Sequence, residues 1–266
     1  MGLIPYRRFA LFCHQRSGSN MLTSILNQHP EVVMRGQIFK DDPEYQHELQ
    51  TTLGMLPLRG QAFDDSMENR RRFDRLEKHP EEREARNFVA AGKSFYEGQA
   101  RTTLAKTIGI KFHGGTLYED EIEALFFDTD TEYEFVLLHR ENLLEAGISW
   151  FQARELNLWV SRGNEKVKPP SLHVDVDLVE EFVTNTHADL EHWKELFSRH
   201  GRSYLELSYE QITDPSFDYG ILWDHLRVSH IPTPRPKTNK IIKSFDHLEN
   251  LEEIRERFRG RNFGMI

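Results

Sequence analysis

A chain of 266 residues with net charge −9 and a single cysteine has the length of one α/β domain with elaborations, and its charge argues against general affinity for nucleic acid or anionic membrane. Cys13 alone excludes an internal disulfide framework and a cysteine-based zinc site. Hydrophobic residues make up 38%, with 18 Phe, enough for a core, and the net charge means that any anion site must be local, built from a few basic groups in an acidic protein.

The opening MGLIPYRRFALF contains neither an apolar h-region nor a small-residue cleavage site. Tyr6 stands where a myristoylation pattern wants Ser or Thr. No window approaches the roughly 18 apolar residues that read as a membrane span. A soluble, reducing, cytoplasmic setting without membrane insertion is expected, with Cys13 a buried packing residue. Phe9 to His14 reads as a buried strand and Asn20 to Asn27 as the helix it feeds, with Met21, Leu22, Ile25 and Leu26 on one face. Between them lies Arg16-Ser17-Gly18-Ser19-Asn20. Strand, small polar turn and helix together make a seat for an anion, because first-turn amides and the helix dipole favour negative charge. Gly18 lets the backbone approach closely, Ser17 and Ser19 add hydroxyl donors, and Arg16 can fork onto two oxygens. Alternatively, Ser and Asn here merely cap a helix. There is no Gly-Lys-Ser/Thr, so an ordinary nucleotide P-loop does not fit.

Before Pro30, His29 ends the first helix and is expected to satisfy the turn. Glu31 to Met34 is extended. Residues 63 to 101 alternate both signs of charge and read as a solvated helical excursion. Thr107 to His113 is strand-like, Tyr118 to Phe127 an amphipathic helix, and Glu134 to His139 a buried strand. Asn142 to Glu155 follows as a helix with Leu143, Ala146, Trp150 and Phe151 inward. Gly163 to His173 is a polar loop, and Asp177 to Glu180 has capping-box spacing at the start of a helix reaching about His200. Tyr204 to Leu207 is a further strand and Phe217 to Leu226 a helix. A Pro- and Lys-rich tail precedes a final Arg/Glu helix. Strand alternating with helix predicts a single α/β domain with a parallel central sheet and helices on both faces.

Arg140 ends the Glu134 to His139 strand, and Ser149 lies two turns into the next helix. This places Arg140 at the same sheet edge as Arg16, where a second phosphate fits. A strand-end salt bridge is the competing reading.

Together these elements resemble the PAPS-dependent sulfotransferases, a P-loop-NTPase-like fold. RSGSNMLTSILNQHPEV is similar to their 5′-phosphosulfate loop and helix, and HRENLLEAGISWFQARE to their 3′-phosphate motif. SYLELSYEQITDP resembles the family's late strand and Tyr-Glu turn, and KTNKIIKSFDHLENLEEIRERF its basic closing loop and last helix. The resemblance runs from about residue 9 to 259, with the excursion near 40 to 105 unmatched and assigned to the substrate side. It implies that Arg16, Ser17, Gly18, Ser19, Asn20 and Met21 bind the 5′-phosphosulfate, Arg16 standing where many relatives have lysine. It implies that Arg140 and Ser149 hold the 3′-phosphate and that Lys237, Thr238 and Lys240 close over the donor.

The resemblance leaves the base contested. Many relatives carry glutamate in a Gly-Glu-hydrophobic-Phe string, whereas this chain reads Gly36-Gln37-Ile38-Phe39. Gln37 cannot take a proton, although it can orient an acceptor. Cytosolic-type relatives use histidine in a Lys-x-His string, and Lys111-Phe112-His113 matches it, with Gly114-Gly115 giving room for an acceptor. A histidine near its free pKa of about 6.5 suits general-base work, and Lys111 is expected to face the transferring sulfuryl. Phe63, Phe73, Phe88 and Phe95 are expected to help shape the acceptor pocket. The implied activity is sulfuryl transfer from PAPS to a hydroxyl or amine of a small molecule or sugar, releasing PAP, without metal. The competing functions are a PAP-binding regulatory protein that has lost catalysis and a P-loop kinase-like phosphotransferase.

Overall fold

The computed structural model describes residues 6–36, 38, 48–49, 52, 88–114, 117, 119–127, 132–156, 170–232 and 245–266. Five strands form one fully parallel sheet: β1 (Arg7–Cys13), β2 (Val32–Arg35), β3 (Thr107–His113), β4 (Tyr133–His139) and β5 (Tyr204–Ser208). Their spatial order is β2-β3-β1-β4-β5, so β1 is central. Every residue of β3 is buried, as in a parallel strand covered on both faces: Ile108, Ile110 and Phe112 enter one core, while Lys111 and His113 lie on the alternate face.

Side chains alternate along β1 between two cores. Phe9, Leu11 and Cys13 point into one core with α1 (Ser19–Leu26) and two later helices, α6 (Tyr209–Thr213) and α7 (Gly220–Leu226). Ala10 and Phe12 point into the other. That second core is covered by α2 (Phe88–Thr102), α4 (Leu143–Glu155), α5 (Val176–Arg199) and α8 (Leu251–Phe258). Helix α3 (Glu119–Ile122) runs into a π-helical turn, Glu123–Phe127, on the same face. Phe12 is its hub, with ring centroids 4.8 to 5.9 Å from Phe112, Phe126, Phe135, Trp193 and Phe197. Truncating such a residue to Ala typically costs about 3–5 kcal/mol.

Helix α1 leaves β1 on one face, while α3 and α4 follow β3 and β4 on the other. The carboxyl ends of the three middle strands therefore border the crevice where open parallel sheets hold ligands. His29 satisfies its turn as expected: buried to 1% exposure, it donates through Nε2 to the Ser229 carbonyl (2.7 Å) and accepts the Glu31 amide at Nδ1 (3.0 Å).

Two expectations change. The capping box at Asp177 does not form. Asp175 caps α5 by accepting the Leu178 amide at 3.1 Å, while Glu180 is held by Arg257 (2.6 Å) and Arg261. A long-range pairing with the C-terminal region has claimed the local partner. Phe95 is fully buried in the core, its ring 5.5 Å from Tyr96, and so faces no acceptor. Phe63 and Phe73 lie outside the described residues.

Candidate active site

The loop leaving β1 is fixed by its own backbone and by one glycine. Ser17 donates its hydroxyl to the His14 carbonyl at 2.8 Å and is 2% exposed, so that hydroxyl shapes the turn. Arg16 takes φ 66°, a left-handed conformation uncommon for a side-chain-bearing residue. Gly18, the N-cap of α1, has φ 84°, and a Cβ there would lie 2.5 Å from the Tyr209 ring. Glycine is thus required both by conformation and by contact. It also brings no side chain to cap α1, so the first-turn amides of Ser19 and Asn20 gain no cap from it, while the Met21 amide turns back onto the Gly18 carbonyl at 2.9 Å. Asn20 is exposed, and Met21 is half-buried against the α1 core.

The end of β4 and the helix α4 that follows bring Arg140 and Ser149 to this loop. Arg16 donates from Nε to Ser149 Oγ at 3.0 Å, and Arg140 NH1 approaches the Arg16 carbonyl at 3.4 Å. The strand-end salt bridge is present as well: Arg140, 7% exposed, meets Glu145 at 2.5 Å and lies 3.8 Å from Glu210. Its guanidinium covers the Tyr209 ring, 4.6 Å from the centroid, so Tyr209 is wedged between Arg140 and Gly18. Burial, then the neighbouring Arg140 charge, holds Arg16 below its usual pKa.

Lys111 and His113 project from β3 toward α1. The ammonium of Lys111, 6% exposed, donates to Asn20 Oδ1 at 2.7 Å, and His113 Nε2 is 3.5 Å from Ser19 Oγ. Burial lowers the Lys111 pKa. It also drives His113 well below its free value, with Lys111 and His14 adding repulsion. His113 is therefore neutral at physiological pH and, without a bound anion, a weaker base than its free pKa suggested.

Sequence reasoning passed over His14. Its ring stacks on Trp193 (4.7 Å, 16°), with Nε2 3.5 Å from Asp189 Oδ2. Burial lowers His14 to about 3 and raises Asp189 to about 6, so at neutral pH this is an uncharged imidazole beside a carboxylate, and the 3.5 Å approach is not a true ion pair. A Cβ on Gly114 would lie 2.3 Å from the His14 ring and 2.8 Å from Asp189, so Gly114 makes the approach possible. The signal available in sequence was only that His14 precedes the β1–α1 loop. Glu210 was likewise given no role of its own.

Gln37, Lys237, Thr238 and Lys240 lie outside the described residues. Among those described, no group of three or more His, Cys, Asp or Glu is placed to hold a metal ion. None of the described helices is long and apolar enough to cross a membrane.

A family model described as the sulfotransferase family matches residues 9–217, which spans both the β1–α1 loop and the start of α4. Among solved structures, sulfotransferase STF9 from Mycobacterium avium aligns with TM-score 0.50 at 11% identity, over 97% of this chain and 76% of that one. The sulfotransferase domain of the Synechococcus PCC 7002 olefin synthase aligns with TM-score 0.47 at 16% identity, over 85% of this chain and 75% of that one. The sulfotransferase domain from the curacin biosynthetic pathway gives TM-score 0.47 at 14% identity, over 92% and 82%. No curated protein matches the chain. The fold is the P-loop-like α/β fold shared with sulfotransferase STF9, and the chain belongs to the sulfotransferase family.

Proposed function

We propose that this sulfotransferase moves a sulfuryl group from PAPS to a hydroxyl or amine of a small-molecule or carbohydrate acceptor, releasing PAP. The carrying observation is the 3.0 Å contact of Arg16 with Ser149, which joins the β1–α1 loop to helix α4. A donor with phosphates at both ends of one ribose suits two basic seats that share a border. The uncapped α1 N-terminus, with Arg16, Ser19, Asn20 and Met21, would take the 5′ end, Ser17 and Gly18 shaping the loop. Arg140 and Ser149 would take the 3′-phosphate, and Lys237, Thr238 and Lys240 would close over it.

In the reaction the acceptor oxygen or nitrogen bonds to sulfur as the bond from sulfur to the 5′-phosphate oxygen breaks. His113 takes the acceptor proton, Gln37 orients the acceptor, and Arg16 and Lys111 steady charge on the departing oxygen. The protein's contribution is mainly positioning and preorganised charge. An anion bound beside His113 favours its protonated form, restoring the basicity that burial removes. No step calls on a metal.

We assign the activity to the whole chain as one domain, residues of about 40–105 forming a substrate-side excursion. Phe95 and Tyr96 of α2 lie in the same core as β1, β3 and β4, which supports this. The lone, buried Cys13 supports a cytoplasmic setting.

The test is PAP binding by melting-temperature shift, followed by incubation with ³⁵S-labelled PAPS and a panel of alcohols, sugars and amines. Binding plus label on an acceptor supports the reading. Tight PAP binding without turnover points to the regulatory alternative, and absence of binding removes both.

A further inference from the structure

We infer that Glu210 is a positioning residue for the 3′-phosphate seat, holding Arg140 through the backbone of the β4–α4 turn; this rests on the donor reading above. The carboxylate of Glu210 accepts the Glu141 amide at 3.0 Å through Oε2 and the Asn142 amide at 3.5 Å through Oε1. Oε1 also lies 3.8 Å from Arg140 Nε, a buried nitrogen with no hydrogen bond of its own. One side chain from α6 therefore grips three consecutive residues at the point where β4 hands over to α4. A second bond reinforces the grip, since Ser208 donates its hydroxyl to Glu141 Oε1 at 2.7 Å.

The turn that supplies Glu210 is itself rigid. Ser208 and Gln211 form a reciprocal capping box, Ser208 Oγ accepting the Gln211 amide and Gln211 Oε1 the Ser208 amide. Between these anchors Tyr209 presents its ring to Arg140 on one side and to Gly18 on the other. A buried arginine keeps a useful direction only if its surroundings hold it. Glu145 takes NH2, Glu210 faces Nε, Tyr209 supports the plane, and NH1 is left toward the anion loop. The dipeptide Tyr209-Glu210 thus sets the position of both seats from a single rigid turn.

Removing the Glu210 charge has two opposite effects, which the experiment must separate. Less negative charge nearby helps any anion, whereas a loosened turn harms only the group that Arg140 and Ser149 hold. The affinity ratio of PAP to 5′-AMP, which lacks the 3′-phosphate, isolates the second effect. By calorimetry, Glu210→Ala should weaken PAP about tenfold or more, the scale of one charge-assisted hydrogen bond, with 5′-AMP within about twofold. Glu210→Gln, which can still accept an amide hydrogen, should recover most of the loss. Should the alanine variant not fold, Glu210→Asp carries the same test, because its shorter side chain withdraws from the two amides. Equal losses for PAP and 5′-AMP, or an unchanged ratio in the variants, overturn the inference. If the wild type shows no preference for PAP over 5′-AMP, the failure lies instead with the donor reading.

Discussion

Arg16 and Ser149, 133 positions apart, meet through a 3.0 Å hydrogen bond at the crevice of the parallel sheet. The bond crosses from the loop after β1 to the helix after β4, neighbouring strands in the sheet. Ser149→Ala removes the hydroxyl from this junction. It is expected to weaken PAP by roughly ten- to a hundredfold, as for loss of a hydrogen bond to a charged group, and to leave 5′-AMP nearly unchanged. Calorimetry with both nucleotides decides it.

Gly18→Ala should damage both fold and site. Its φ of 84° disfavours any Cβ, and the added carbon would sit 2.5 Å from the Tyr209 ring. A loss of at least about 1 kcal/mol is expected from the backbone alone. PAP binding should fall with it. Adding Tyr209→Ala relieves the contact and should recover part of the melting temperature, leaving the φ penalty.

His113→Ala should separate chemistry from binding. Loss of a general base typically costs about 10²–10⁴-fold, so ³⁵S transfer should fall by that order while PAP affinity stays within a few-fold. Unimpaired transfer would move the base elsewhere.

The pH dependence of stability has a definite sign. His14 is lowered from 6.5 to about 3 by burial, and His113 is lowered as well. Between pH 6.5 and 3 the unfolded chain therefore binds more protons than the folded one, and stability falls as pH falls through that window. Asp189, raised from 3.8 to about 6, acts oppositely: its folded form holds the proton longer, so stability is lost as pH rises from 3.8 to 6. Its partial exposure shrinks that contribution, so the histidines should dominate. Denaturant melts from pH 4 to 7 should show acid destabilisation, and His14→Gln should flatten it.

The sheet was readable because its three middle strands are largely buried. TIGIKFH admits few readings other than a buried parallel strand, and the described strand has the expected bounds. Arg16, Arg140 and Ser149 could be placed at one edge because strand ends and the following helix fix their positions. What escaped was long-range. Asp175 and Asp177 both stand near the start of α5, and the choice between them is tied to Arg257 and Arg261, about 80 residues on, which occupy Glu180. His14, just after β1, meets Asp189 of α5 only through the tertiary fold. Glu210 looks like an ordinary surface acid until β5 is laid beside β4, with His139 paired to Ser208.

The central claim is that two adjoining basic seats hold the two ends of one nucleotide, and a crystal structure of the PAP complex tests it most directly. The account predicts the 3′-phosphate on Arg140 and Ser149 and the 5′-phosphate on the first-turn amides of α1 beside Arg16. A PAP molecule bound with either phosphate away from these groups, or found only elsewhere on the surface, would contradict it.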